Sequence, residues 1–204
     1  MLNKSLDEFS VLTSSKDPVP GGGGVCAAVA ALASSLNQMV TNLTIGKKKY
    51  LEYTDELNQL KEESESLRII LLNCINEDAK AFEPLSKAYS ADKNDPDYAS
   101  NMEQCLRIAA NSPYQILKYT TRVIDIAERL SEIGSKIVVS DAGTAVMLAS
   151  GVLYGAYLNV IVNTNLMKDK EYAEDLEYSA RMMLEEYSSR CLTIYETVKE
   201  RING

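Results

Sequence analysis

Two long stretches of this chain lack the charges that a solvated helix needs. Between Lys16 and Lys47 the only charged residue is Asp17, and from Ala142 to Val162 there is none. Apolar segments of this length have to be buried, either inside a protein or across a membrane. Any fold open to the sequence must therefore be built around them. Within the first stretch, Val25, Ala28, Val29, Leu32, Leu36, Met39, Val40 and Leu43 trace a broad apolar helical face. Ser34, Ser35, Asn37 and Gln38 in the same stretch suit a tight protein interior better than lipid. In the second, Gly143, Met147, Gly151, Gly155, Asn159 and Asn163 follow one another at a spacing of four. Small residues in such a stripe let two helices approach closely. Both stretches read as buried helices packed on each other, with a membrane span as the alternative for the second.

The rest of the chain is poor in breakers. Only ten glycines and five prolines occur in 204 residues, and four of those glycines are consecutive. That favours long helices. Leu2, Leu6, Phe9 and Leu12 predict a short amphipathic helix over residues 2–12, followed by a Pro/Gly loop over 14–23 and the first apolar helix from Gly24 to Leu43. Gly46 fits a helix cap or a tolerated interior position. A charged helix from Lys48 to Ala88 follows, with Leu57, Leu60, Leu67, Leu71, Ile75 and Phe82 repeating at three and four, and Pro84 kinking or ending it. Tyr89 to Ser100 reads as a polar loop and Tyr98 to Ala110 as a short helix. Ser112 as N-cap and Pro113 as first residue begin another helix, which Gly134 ends after Ile133. "KIVVSDAG" reads as an extended connector, with Ser140 capping the second apolar helix and Asp141 in its first turn. A last helix covers Glu171 to Ile202. The sum is an all-α single domain, residues 1–204, of about seven helices around two buried helices rich in small residues.

Composition narrows the chemistry. The chain has 29 Asp and Glu against 21 Lys and Arg, a net charge of -8. This argues against a nucleic-acid partner, whose phosphates need clustered cations. There is no histidine, so His-dependent triads are excluded and acid/base work falls to Asp, Glu, Lys, Tyr, Cys or water. Cys26, Cys74, Cys105 and Cys191 lie far apart, which suits reduced core thiols rather than a zinc site or disulfide framework. Residues 1–13 carry polar and charged groups throughout, so no signal peptide is expected and the cytoplasm is the default compartment.

"DPVPGGGG" leads straight into the first apolar helix. Glycines at a helix head expose backbone N–H groups and the positive end of the dipole, a ready place for an anion or a developing negative charge. The segment lacks the Gly-Lys-Ser/Thr ending of a phosphate loop, and no strand precedes it, so a dinucleotide fold is not indicated either. The plainer alternative is a turn that lets two helices touch.

"PVPGGGGVCAAVAALASSLNQMVTNLTIGKKKY", "EDAKAF" and "SDAGTAVMLASGVLYGAYLNVIVN" together resemble the blocks of the cyclodeaminase/cyclohydrolase family, in order and over nearly the whole chain. That family comprises the formiminotetrahydrofolate cyclodeaminase domain of formiminotransferase-cyclodeaminase and the stand-alone methenyltetrahydrofolate cyclohydrolases. The resemblance implies a soluble, all-helical homodimer, which weighs against a membrane. The chain departs from the family pattern at Gly24, where serine is common, and at Gly134-Ser135, where a Gly-Asn pair is usual. It also lacks a Pro-Lys element in the Tyr89–Ser100 loop.

The resemblance further implies a tetrahydrofolate one-carbon substrate, no metal and no other cofactor. Cyclodeamination of the 5-formimino form is the first expectation, and hydrolysis of the 5,10-methenyl form the alternative. A non-catalytic dimerisation module is the rival from another class. Both reactions need one group that takes a proton from a nucleophile and returns it to a leaving nitrogen, and a carboxylate can do both. Asp78 and Asp141 lie in the resembling blocks and are the catalytic candidates. Asp78 faces inward with Cys74 and Phe82, so a buried salt bridge is its alternative role. For Asp141 the alternative is a helix-start charge. Gly21, Gly22 and Gly23 are expected to bring backbone amides to the ligand, with Ser140 also lining the site. Lys47 or Lys48, in the densest basic cluster, either meets the anionic glutamate tail or faces solvent. Asn159 and Asn163 either read the pterin edge or join helices in the core.

Overall fold

A computed structural model describes residues 3–204. Among them six α-helices make the fold: α1 (Leu6–Thr13), α2 (Gly22–Asn42), α3 (Thr54–Tyr89), α4 (Tyr98–Ile133), α5 (Val139–Thr164) and α6 (Lys170–Asn203), with 3₁₀ turns at Lys48–Tyr53 and Lys136–Val138. No strand occurs among the described residues.

The two apolar stretches become α2 and α5, and they pack on each other. α2 also lies against α3 and α4, and α5 against α4 and α6. Small residues set the separation. A Cβ placed on Gly155 would stand 2.7 Å from Cys26 Sγ on α2, and one on Gly143 would stand 2.9 Å from Val198 Cγ1 on α6. Ala27, Ala30, Val40, Leu57, Leu71, Leu117, Leu130 and Leu153 are fully enclosed between these helices. Each such leucine side chain contributes about 1.5–3 kcal/mol by leaving water. The buried polar groups of α2 reach across to neighbours: Ser34 Oγ donates to Ser64 O (2.7 Å) and Asn37 Nδ2 to Val123 O (2.9 Å). That pins α2 to α3 and α4 while satisfying donors that burial would otherwise penalise.

The helix ends obey local chemistry in part. Ser5 and Glu8 form a capping box on α1, and the Asp169 side chain accepts from Tyr172 N (3.1 Å) at the head of α6. Leu2, expected in the first helix, lies outside the described residues. Gly46 has φ 81°, so it serves the turn after α2, where a left-handed backbone favours glycine.

Several expectations are corrected. There are six α-helices rather than about seven, because α4 runs unbroken through Pro113 and Ser112 is not its cap. α3 likewise continues past Pro84. An interior proline costs about 3 kcal/mol through its missing N–H and the clash of its ring with the preceding turn, and burial along a helix as long as α4 outweighs it. "KIVV" is not extended: it has no partner strand and turns through 3₁₀ geometry into α5. Ser140 therefore sits inside α5, whose cap is Val138. Gly22 and Gly23 join Gly24 in the first turn of α2 instead of belonging to the loop before it. Neither apolar helix is enclosed all round. Leu32 and Met39 on α2, and Tyr154, Leu158 (61% exposed) and Val162 on α5, face outward. Both helices are long and apolar enough to cross a membrane by length and composition, and both are packed within the bundle here.

Candidate active site

Gly21 caps α2 with no side-chain help, so the first amides of the helix have to find partners elsewhere. One partner comes from α3. The Asp78 carboxylate accepts from Gly24 N–H, and Ser112 Oγ on α4 donates to Asp78 Oδ1 (3.0 Å). The amides of Gly21, Gly22 and Gly23 make no hydrogen bond among the described residues. The contact with the glycines is very close. A Cβ on Gly23 would lie 2.4 Å from Asp78 Oδ1 and 2.6 Å from Oδ2. Only glycine lets the carboxylate sit against the helix head, where the dipole favours its charge.

Asp78 and Gly21 to Gly23 line a cavity of about 190 Å³. Its first wall is Pro18, Gly21, Gly22 and Gly23. α3 supplies Asp78, Phe82, Leu85 and Tyr89, which share one helical face. α4 adds Ala109 and Pro113, and α5 adds Asn159, Val162 and Asn163. The donors of the two asparagines are turned onto their own helix, Asn159 Nδ2 to Gly155 O (2.8 Å) and Asn163 Nδ2 to Asn159 O (2.9 Å). Their Oδ1 atoms make no hydrogen bond among the described residues.

Burial pushes the Asp78 carboxyl above its ordinary value, while the bonds from Ser112 and Gly24 pull it down. A carboxylate raised in this way is a better proton acceptor than one in water. The neighbouring thiols are poor alternatives as nucleophiles. Burial, reinforced by the Asp78 charge, pushes Cys26 and Cys74 up to about 11, so both are neutral thiols.

Of the residues expected in the site, Asp78, Gly21, Gly22, Gly23, Asn159 and Asn163 come together. Asp141, Ser140, Lys47 and Lys48 do not. Asp141 is displaced from Asn159 by about 27 Å along α5 at 1.5 Å per residue. It makes no hydrogen bond or ion pair among the described residues. Lys47 follows the other end of α2 and belongs to a structural knot there: its Nζ donates to Ser135 Oγ (2.8 Å), and Ser135 N donates to Thr44 Oγ1 (2.9 Å). Lys136 N reaches Tyr50 Oη (3.2 Å), and Arg201 spans Ser131 O and Gly134 O beside it. The sequence reading missed Phe82, Tyr89, Pro113 and Ala109 as cavity residues, and Ser112 as the partner of Asp78. The spacing of Phe82 and Tyr89 from Asp78 could have found the first two. For Ser112 and Pro113 the local signal of a helix start pointed the other way.

An all-helical bundle with a desolvated carboxylate set against a glycine helix head defines a class, and residues 5–182 match the family model described as formiminotransferase-cyclodeaminase. The chain belongs to this family of folate one-carbon cyclodeaminases and cyclohydrolases. It is 38% identical to the methenyltetrahydrofolate cyclohydrolase of Methylorubrum extorquens, over 98% of this chain and 99% of that protein. It is 25% identical to the formimidoyltransferase-cyclodeaminase of Mus musculus, of which it spans 38%. The crystal structure of formiminotetrahydrofolate cyclodeaminase from Thermotoga maritima superimposes with a TM-score of 0.84 at 29% identity, over 99% of this chain and 97% of that one.

Proposed function

We propose that this protein opens the one-carbon bridge of 5,10-methenyltetrahydrofolate with water, giving 10-formyltetrahydrofolate. Asp78 is the acid/base group. Its carboxylate takes a proton from water as the new C–O bond forms at the cationic bridge carbon. It returns that proton to N5 as the N5–C bond breaks, and the hydroxyl proton of the intermediate leaves to solvent. Only protons move, so the step as written needs no cofactor beyond the folate. A positioned group of this kind contributes about 10²–10⁴-fold.

The observation that carries this reading is the Asp78 carboxylate held against Gly23 in a cavity shared with Asn159 and Asn163. A volume of about 190 Å³ is below the roughly 300–1,000 Å³ of pockets that enclose a whole drug-sized ligand. It fits the ring head, with Phe82 and Tyr89 as flat apolar neighbours and the glutamate tail outside. The Methylorubrum extorquens relative, with higher identity over nearly its full length, supports hydrolysis as the first reading.

Cyclodeamination is the second reading, favoured by the structural neighbour. There the same carboxylate would take the N10 proton as N10 attacks the formimino carbon, and hand it to the departing ammonia. The chain would work as a cytoplasmic homodimer. The outward apolar stripe of Met147, Tyr154, Leu158 and Val162 on α5 supports pairing with a second copy. Sedimentation at micromolar concentration tests that.

The activity test follows the near-UV band of the methenyl compound. Faster loss with protein than without is expected and means hydrolysis. Appearance of the band from 5-formimino-tetrahydrofolate would instead establish cyclodeamination. No change with either substrate would overturn both readings and leave a non-catalytic module.

A further inference from the structure

Two prolines lie inside long helices, and they differ in what surrounds them. Neither carries an N–H, so each leaves the carbonyl four residues earlier without its helical donor. For Pro84 that carbonyl belongs to Lys80, and both residues are exposed, so water serves it. For Pro113 it belongs to Ala109. Pro113 and Ala109 are both buried, and both line the cavity beside Asp78. A buried carbonyl without a donor is costly unless something in the cavity meets it.

We propose that Pro113 is a specificity-determining residue: by withholding its N–H it leaves the Ala109 carbonyl as a hydrogen-bond acceptor for a ring N–H of the ligand. The cavity then has polarity by wall. The α2 wall offers donors, the unbonded amides of Gly21, Gly22 and Gly23. The α4 and α5 walls offer acceptors, Ala109 O with Asn159 Oδ1 and Asn163 Oδ1, since each asparagine commits one amide N–H to α5 and leaves its Oδ1 without a donor. That arrangement suits a flat nitrogen heterocycle whose N–H-rich edge lies opposite a ring carbonyl. The pterin head of a folate has this pattern, and that assignment rests on the proposed function.

Pro113→Ala supplies the missing N–H and closes the Ala109 bond within α4. The full-length variant is expected to melt at the same or a higher temperature, with the amide at position 113 protected from hydrogen exchange. Its affinity for tetrahydrofolate by titration calorimetry should fall at least about tenfold, as expected for one lost hydrogen bond to a ligand whose site is built to receive it. In turnover the loss should fall on KM, with kcat within about twofold, because the ring head is held equally in ground and transition states. Pro113→Ser supplies the same N–H and repeats the test should the alanine variant fold poorly. Pro84→Ala is the control, expected to leave affinity unchanged. Equal affinity of wild type and Pro113→Ala, or an unprotected amide at position 113, would overturn this inference alone. A wild-type chain that bound no tetrahydrofolate would overturn it together with the proposed function.

Discussion

At one end of the α2–α5 pair, glycine backbone meets a partly buried carboxylate around a partly open cavity; at the other, the same two helices end in a knot of cross-links among Thr44, Lys47, Tyr50, Ser135, Lys136 and Arg201. Each end has its aspartate. Asp78 is desolvated, touched by Ser112 and Gly24, and pressed on Gly23. Asp141 has no such neighbours and stands near an open, mainly apolar groove of about 510 Å³ between α5 and α6. The difference teaches that a carboxylate acquires chemistry from what excludes water around it and what donates to it. Being acidic and lying in a family-like block is not enough.

The sharpest way to break this comparison is to neutralise each aspartate. Asp78→Asn should lower kcat by about 10²–10⁴-fold, the range expected for loss of a positioned acid/base group. Asp141→Asn should change kcat/KM by no more than a few-fold, as surface substitutions do. Steady-state kinetics on the methenyl substrate decide it. A large loss in Asp141→Asn with Asp78→Asn active would exchange the roles of the two ends.

The two close-approach glycines sharpen the same contrast by splitting activity from stability. Gly23→Ala drives a methyl to within 2.4 Å of Asp78 Oδ1, so the carboxylate must move. A displacement of about 1 Å costs on the order of 10²-fold in rate, while alanine in a helix is favourable by about 0.8–1 kcal/mol over glycine. Circular dichroism and melting should therefore be preserved as activity falls. Gly143→Ala at the other end puts its methyl 2.9 Å from Val198 Cγ1 between two packed helices. Overpacking of that kind costs roughly 1–3 kcal/mol, and activity per folded molecule should be kept.

The helical class, the pairing of the two apolar segments and the inward face of Asp78 were all legible in the sequence, because each rests on periodicity or on a long absence of charge. Cys74 and Phe82 at i±4 already turned Asp78 toward the interior. What could not be read was which end of which helix met which. Lys47 to Lys49 are the densest cations, yet density carries no address, and the fold spends Lys47 on Ser135. Ser112 and Pro113 carry a strong local start signal, but packing on α3 and α5 overrides it. Ser112 is then free to bond a carboxylate from a distant part of the chain. Ser140 lost its capping role in the same way, once a 3₁₀ turn carried the chain into α5.

The smallest effect tests the cause assigned to Asp78. Burial raises its carboxyl in the folded chain above the unfolded value of 3.8, so the native state holds the proton more tightly than the unfolded state does. The stability this provides is fully present below the unfolded value and is lost as the pH climbs through the folded one. At neutral pH the native state then carries a desolvated charge. Asparagine cannot ionise, so Asp78→Asn should melt above wild type at pH 7, by about 2–4 °C for each kcal/mol recovered in a chain of this size. The gap should close as the pH falls toward 3.8. Melting curves of the two proteins between acid and neutral pH give the answer. If Asp78→Asn melts below wild type at pH 7, the carboxylate is instead a net-stabilising cap on α2, its charge compensated by Ser112 and the helix dipole. The contrast between the two ends would then rest on hydrogen bonding rather than desolvation.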